Sequence, residues 1–221
     1  MGAKTDRRHA QGDESRERIL DATIEIASLR GYHGTSIAAV SQRSGLPASS
    51  IYWHFKNKDD LIAAVIQRSF DSWLHAVMCV SLRRPGVNPR QHLITSMRNQ
   101  AAALTESPEF LRLGLMLALE RNPQEPTARA LFLQVRERSF AALAEAFERA
   151  LVELHGTSDP IWARRVATLS MAAADGLFIA HQVDADSLDL GDEFQLLAEM
   201  IVTSLESRPT AKATTKRRSP R

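Results

Sequence analysis

Apolar residues recur along this chain at intervals of three and four, a spacing that places them on one face of a helix. The pattern runs from about residue 14 almost to the C-terminus, and no segment alternates with the period of two typical of a half-buried strand. Glycine, proline and asparagine divide the pattern into segments. The sequence therefore predicts an all-α protein of about nine helices, over residues 14–30, 35–45, 46–54, 57–83, 89–106, 108–120, 126–155, 159–184 and 190–206.

The second and third predicted helices are short, and the turn between them contains Gly45. Two short helices behind a longer one form a helix-turn-helix, whose second short helix enters the major groove of DNA. Small residues at the start of that helix would permit close approach to base edges, and serine hydroxyls can bond bases or phosphates. The apolar residues that would form the core of this unit are Ile37, Val40, Leu46, Ile51 and Phe55.

The start of the fourth helix carries a capping signal. Asn57 is a favoured N-cap residue, and Asp60 follows three positions later, as in a variant of the capping box. Asp59 and Asp60 also lie at the positive end of the helix dipole. Lys56 and Lys58 flank this point, where the chain would cross the DNA backbone.

The same region resembles the DNA-binding domain of the tetracycline-repressor (TetR) family over about residues 14–75. The resemblance implies phosphate contacts by Ser36, Arg43, His54 and Lys58. It further implies base-edge positions at Ala48 and Ser49, and a contact of Tyr52 with the backbone or a thymine methyl group, whereas Trp53 is expected to pack between helices. Because Ala48 lacks a polar side chain, we expect readout to depend on Ser49, Tyr52 and DNA shape. The residues that carry the resemblance are Gly31-Tyr32, Thr35-Ser36, Val40, Gly45-Leu46 and the run Ile51-Tyr52-Trp53-His54-Phe55-Lys56-Asn57-Lys58, followed by Leu61.

Charge is distributed unevenly along the 221 residues, although the formal net charge is only +2. Residues 207–221 contain six Lys or Arg and no acid, whereas residues 61–206 contain 13 basic and 18 acidic side chains. Any contact with DNA should therefore be local. Both basic ends, with Lys4, Arg7 and Arg8 in one and residues 216–218 in the other, could add to DNA affinity, and solvated termini are the alternative.

These observations divide the chain into four parts by expected role. The predicted parts are a flexible N-terminal arm (1–13), a DNA-binding domain (14–60, with the helix-turn-helix at about 36–55), a ligand-sensing and dimerisation domain (61–206) and a disordered basic tail (207–221).

A heptad-like stripe marks the last two helices as a close-packed seam. In the resembling family these helices form a four-helix dimer interface, and a seam within one chain is the alternative. Two recognition helices about 34 Å apart would read successive major grooves, which a symmetric dimer provides. We therefore expect a homodimer on a palindromic operator in double-stranded DNA. The expected interface residues are Trp162, Val166, Leu169, Ala173, Gly176, Ala180 and Val183, with Phe194, Leu197, Ile201 and Leu205.

Helices four to eight are expected to enclose a pocket for a small, lipophilic effector. Methionine and aromatic side chains adapt readily to apolar ligands, although each taken singly is more often ordinary core. Asp175 and His181 could instead bond each other or the backbone. The candidate pocket residues are Trp73, Met97, Gln100, Phe110, Leu113, Met116, Phe140, Met171, Phe178 and His181.

Other classes of protein receive less support from the residues. A single cysteine, Cys79, excludes an intramolecular disulfide, and apolar runs broken by Arg112 and Asp175 argue against a membrane span, so a cytoplasmic protein is expected. Motifs for phosphate loops, zinc sites and nucleophile elbows do not occur, so no catalytic residue, metal or cofactor is expected. An enzyme assembled from distant residues and a protein-interaction module remain the alternatives, and repression relieved by ligand follows as the family default.

Overall fold

The computed structural model describes residues 2–81, 88–120 and 126–207. These residues are helical without any strand, which confirms the all-α class. They form helices α1 (Gly2–Gly34), α2 (Ile37–Ser44), α3 (Ala48–His54), α4 (Lys58–Ser81), α5 (Pro89–Glu106), α6 (Glu109–Glu120), α7 (Pro126–His155), α8 (Pro160–Val183) and α9 (Leu190–Glu206).

Side chains cap several helices close to where the sequence indicates a start. At α2 the cap is Ser36, whose hydroxyl oxygen accepts the N–H of Ala39 at 3.2 Å. The predicted start at Thr35 is one residue early, because Thr35 is buried and its hydroxyl donates to the carbonyl oxygen of Gly31 at 2.9 Å. Such caps satisfy backbone donors that a helix N-terminus leaves unpaired. Asn88, Asp159 and Asp189 cap α5, α8 and α9 in the same way.

Helix α1 begins earlier than the pattern predicts and is kinked near its end. Its first residue is Gly2, whereas the sequence predicts a flexible arm over residues 1–13. The Ala, Lys, Arg and Gln residues of this stretch favour a helix, and no proline interrupts it. Gly31 breaks the helix with a φ of +66°, as expected, since glycine occupies the left-handed region without steric strain. The side chains of Lys4, Arg7 and Arg8, and the tail from residue 208, lie outside the described residues.

By packing, the chain divides into two compact units at residues 139 and 140. The first unit contains α1 to α6 and the start of α7, with α4 packed against α1, α5 and α6. The second contains the remainder of α7 and the pair α8 and α9. Helix α4 thus shares one core with the helix-turn-helix. The expected boundary between a DNA-binding domain and a ligand-sensing domain, at residues 60 and 61, stays a prediction.

The second unit is held at one end by polar contacts to the last turn of α9. The indole N–H of Trp162, in the first turn of α8, donates to the carbonyl oxygen of Ser204 at 3.3 Å. The Nε2 atom of His155, at the end of α7, lies 2.8 Å from the carbonyl oxygen of Leu205. These contacts pair carbonyl groups that a helix C-terminus leaves without an intrahelical partner.

Candidate functional sites

The turn between α2 and α3 is set by a left-handed glycine. Gly45 has a φ of +69°, and its N–H donates to the carbonyl oxygen of Ser41 at 3.1 Å. The Ser41 hydroxyl donates to the carbonyl oxygen of Leu46 at 2.7 Å across the turn. Arg18 of α1 donates to the carbonyl oxygen of Ser44 at 2.8 Å. Helix α3 is therefore oriented relative to α1 and α2 by backbone-directed bonds as well as by its core.

Helix α3 has one buried face and one exposed face. Ile51 is fully buried and Phe55 is 4% exposed, which anchors the helix in the core of the first unit. Ala48, Ser49 and Tyr52 are exposed, and Tyr52 retains 56% of its accessible surface. The residues predicted to face base edges thus lie together on the side of the helix that the protein does not cover.

The structure overturns the expectation that Trp53 packs between helices. Its side chain is 76% exposed, and its ring edge lies 3.8 Å from where a Cβ at Gly12 of α1 would be. Each residue of an α-helix turns about 100°, so Trp53 lies roughly 200° around α3 from the buried Ile51. That angle was readable from the spacing and would have placed Trp53 beside Tyr52 on the exposed face.

His54 is half-buried at the end of α3. Its ring meets the Trp53 ring edge to face at a centroid distance of 4.5 Å. Burial lowers the pKa of His54, the positive charge of Arg16 lowers the pKa further, and Asp13 partly opposes both effects. His54 is therefore neutral at pH 7 in the DNA-free protein, and a nearby phosphate would favour its charged form.

Two other predicted phosphate contacts already have partners within the chain. The hydroxyl oxygen of Ser36 is occupied as an acceptor by the α2 cap, which leaves its O–H able to donate. Arg43 forms an exposed ion pair with Glu25 of α1. An exposed ion pair contributes little to stability, so Arg43 can exchange Glu25 for a phosphate at small cost.

Lys58 points inward, whereas the resemblance predicts a phosphate anchor. Its Nζ atom donates to the carbonyl oxygen of Tyr32 at 3.2 Å and lies 3.8 Å from the centroid of the Tyr32 ring. These contacts fasten the first turn of α4 to the end of α1. The capping signal is confirmed, since Asn57 Oδ1 accepts the N–H of Asp60 at 2.8 Å and Asp60 accepts the N–H of Lys56 at 3.1 Å.

The expected dimer face of α9 is wrong in part. Phe194, Leu197 and Ile201 are 1%, 8% and 4% exposed, so their side chains already belong to the core of a single chain. Val166 of α8 is likewise buried, and Leu205 is 3% exposed. These residues lie in a seam between α8 and α9 of the same chain, which was the alternative to a dimer interface.

The apolar face predicted on α8 is open, and so is a different apolar face of α9. Leu169 and Val183 of α8 are 70% and 81% exposed, and Leu196 and Met200 of α9 are 52% and 62% exposed. Gly176 and Ala180, also predicted for the interface, are exposed, and a Cβ at Gly176 would meet no atom within 4 Å. Ala173 and Trp162 are half-buried. By length and hydropathy α8 would also suit a membrane span, although Asp175 within it argues against one in the sequence.

The structure brings together part of the predicted pocket in the first unit. The Trp73 ring lies 5.4 Å from that of Phe110 and 5.8 Å from that of Phe70, between centroids. Met97 and Leu113 are buried, and Gln100 is half-buried. Met116 points elsewhere, since its Cε lies 3.1 Å from where a Cβ at Gly31 would be, at the kink of α1.

Three buried side-chain donors among the described residues have no hydrogen-bond partner, and of their residues Trp73 alone was among the predicted pocket residues. They are the indole N–H of Trp73 in α4, the amide nitrogen of Asn99 in α5 and the Nε of Arg129 in α7. Unpaired buried donors are uncommon and point to a missing acceptor. Ser69 of α4 donates to the carbonyl oxygen of Ser107 at 3.2 Å, just beyond the end of α5, and so connects the two helices.

The other pocket candidates, Phe140, Met171, Phe178 and His181, belong to the second unit. Phe178 is 2% exposed, and Phe140 lies beneath the guanidinium of Arg164 at 4.9 Å. The Nδ1 atom of His181 lies 3.1 Å from the carbonyl oxygen of Leu188, which confirms a backbone partner for this ring.

A surface cavity of about 400 Å³ opens between α1 and α4 and includes none of the predicted pocket residues. Its lining includes Arg16, Gln67, Arg68 and His75. Arg68 donates at 2.7 Å to both Glu17 and Asp21, so this cation is already neutralised by α1.

Comparison with known proteins places this geometry among DNA-binding regulators. Residues 19–65 match the family model described as bacterial regulatory proteins, tetR family. The transcriptional repressor KstR of Rhodococcus jostii is 24% identical over 199 residues, which cover 89% of this chain and 86% of that protein. KstR of Mycolicibacterium smegmatis is 38% identical over 58 residues, or 26% of this chain and 28% of that protein. The structure of the fatty acid degradation regulator FadR from Bacillus halodurans has a TM-score of 0.68 at 14% identity, and the overlap covers 84% of this chain and 93% of FadR.

Proposed function

This chain belongs to the tetR family of bacterial regulatory proteins and is a DNA-binding transcriptional regulator. On that premise, we propose that it represses transcription and that a small lipophilic effector releases it from a palindromic operator. The observation that carries the proposal is the exposed face of α3, with Ser49, Tyr52 and Trp53 on one side and Ile51 and Phe55 buried on the other. Repression agrees with the description of KstR as a repressor. We propose a cytoplasmic location and no catalytic role, as for a protein that acts on chromosomal DNA.

In this proposal α3 lies in the major groove. Ser49 and Tyr52 contact base edges, and Ala48 allows the helix to approach closely. Trp53 contacts the sugar-phosphate backbone beside them, and Ser36 donates its hydroxyl to a phosphate. Lys58 acts through its contact with Tyr32 rather than on DNA, which revises the role implied by the resemblance.

We further propose that the open face of α8 and α9 joins two copies of the chain. Gly176 and Ala180 would allow close approach of helices, while Leu169, Val183, Leu196 and Met200 would be removed from water. The same contact accounts for the apolar character of α8 without a membrane, and two-fold symmetry would match a palindromic operator.

The unpaired donors of Trp73 and Asn99 support an effector that carries a hydrogen-bond acceptor. Both atoms are donors, so a carbonyl or carboxylate oxygen would satisfy them, while Phe110 and Met97 would contact an apolar portion. A thermal-shift screen of straight-chain carboxylic acids against the matching hydrocarbons tests this assignment. We expect the acids to stabilise the protein, and we expect Trp73→Phe, which keeps the ring and removes the N–H, to weaken their binding by about threefold to tenfold. Equal binding by the variant would contradict it.

Selection from a random library of double-stranded DNA tests the central proposal. We expect the full chain to enrich a two-fold symmetric sequence whose half-sites are centred about one or more helical turns apart. Tyr52→Ala should raise the dissociation constant for that sequence by about tenfold or more. Thr105→Ala, an exposed change on α5, serves as the matched control and should have no effect. A library that enriches no sequence, with or without effector, would contradict the proposal.

A further inference from the structure

Asp59 is a buried carboxylate that joins two helices far apart in the sequence. It lies in the first turn of α4 and is 7% exposed. Its Oδ2 atom accepts the N–H of Thr127 at 3.0 Å, and its Oδ1 atom accepts the N–H of Ala128 at 3.2 Å. Because Pro126 has no N–H, these are the first two donors that α7 offers. Asp59 therefore caps α7 from another helix, with one oxygen for each donor.

The residues on either side of Asp59 hold the same turn of α4 to the helix-turn-helix. Lys58 donates to the carbonyl oxygen of Tyr32 at the end of α1. Asp60 accepts the N–H of Lys56, in the segment through which the chain leaves α3. Three consecutive side chains thus connect one helical turn to α1, to α7 and to the exit of the recognition helix.

We propose that Asp59 is a positioning residue for DNA binding, through which the start of α7 sets the placement of α3. The proposal rests on the proposed function and assigns part of its regulation. A carboxylate bonded to both donors of α7 keeps α7 and the first turn of α4 in one arrangement. An effector that binds better to a different placement of α7 would break these bonds and release the first turn of α4, to which Lys56 is bonded through Asp60. Because the carboxylate is buried, salt screens this link less than it screens the surface ion pairs.

Hydrogen–deuterium exchange of the DNA-free, full-length protein tests this link directly. Asp59→Asn keeps the shape and one acceptor oxygen, and Asp59→Ala removes both. We expect exchange to accelerate about tenfold at residues 127–132 in the alanine variant, as for loss of a helix cap, and to accelerate also at residues 48–56. The asparagine variant should show a smaller change at both places. Asp71→Asn is the matched control, since Asp71 is an exposed aspartate of α4 that accepts from Gln67 of the same helix, and it should alter neither region.

The outcomes separate positioning from stability. Faster exchange at 127–132 with no change at 48–56, in either Asp59 variant, would overturn the proposal, because Asp59 would then be a cap alone. Acceleration everywhere, including residues 190–206, would also overturn it, since that result indicates general destabilisation. Because no DNA is present, the result stands even if the chain selects no operator. On a selected operator, we expect Asp59→Asn to weaken binding severalfold with an unchanged salt slope, since no phosphate contact is removed.

Discussion

Gly176 offers a test in which the isolated chain and the dimer respond in opposite directions. It lies within α8, and a Cβ at this position would meet no atom of the same chain within 4 Å. Gly176→Leu therefore introduces no clash within one chain. Replacing glycine by a good helix former should stabilise α8 by about 0.8 kcal/mol through backbone entropy. If α8 simply faced water, this variant would be more stable and otherwise unchanged.

In a dimer packed through this face the same side chain would hold the two helices apart. Overpacking of a close contact costs about 1 to 3 kcal/mol per site, and two-fold symmetry places the substitution on both copies. The dimer should therefore weaken by about 2 to 6 kcal/mol, which corresponds to at least about a thirtyfold higher dissociation constant. Gly176→Ala adds a single methyl group and should have a smaller effect in the same direction.

Sedimentation equilibrium of the wild type and both variants measures this directly, with thermal unfolding as the second readout. We expect dimer dissociation constants in the order wild type, alanine, leucine, with helical content maintained. Operator affinity at protein concentrations below the dimer dissociation constant should fall in the same order. A leucine variant that is more stable yet dimerises as tightly as the wild type would refute the assignment of this face.

Three further outcomes follow from individual contacts. A Cβ at Gly114 would lie 2.0 Å from the fully buried ring of Phe132. Gly114→Ala should therefore lower the free energy of unfolding by about 1 to 3 kcal/mol in chemical denaturation. Trp53→Ala should leave the free energy of unfolding nearly unchanged, because the side chain is 76% exposed, and should weaken operator binding about tenfold in a mobility-shift titration. A lower free energy of unfolding with unchanged operator binding would instead indicate that Trp53 packs between helices. Because the pKa of His54 is lowered, its charged form is disfavoured in the folded chain, so the stability of the fold should decrease as pH drops below about 6.5. Operator affinity at fixed salt should increase over the same pH range, because the imidazolium forms beside a phosphate. His54→Gln should remove both trends, and a pH profile identical to that of the wild type would exclude His54 as the titrating group.

Features with local causes were predictable from the sequence. The nine helices of the described residues follow from apolar spacing. The turn at Gly45 and the bonds that the side chains of Asn57 and Asp60 accept at the start of α4 depend on residues within five positions of each other. The kink at Gly31 is equally local. The exposed reading face of α3 was also within reach, since the angle between Trp53 and Ile51 follows from helix geometry alone.

The tertiary structure decided what depends on residues far apart in the chain. In the sequence, Asp59 is typical of a helix start, yet its hydrogen-bond partners are 68 and 69 positions away. The inward orientation of the Lys58 side chain depends on where α1 ends, because its partner is Tyr32.

In α9, Phe194 and Ile201 on one side and Leu196 and Met200 on the other both recur at helical spacing, and the sequence does not distinguish them. Only the placement of α8 buries the first pair and leaves the second exposed. Periodicity determines which residues share a face of a helix, but which face is covered is determined by the neighbouring helix.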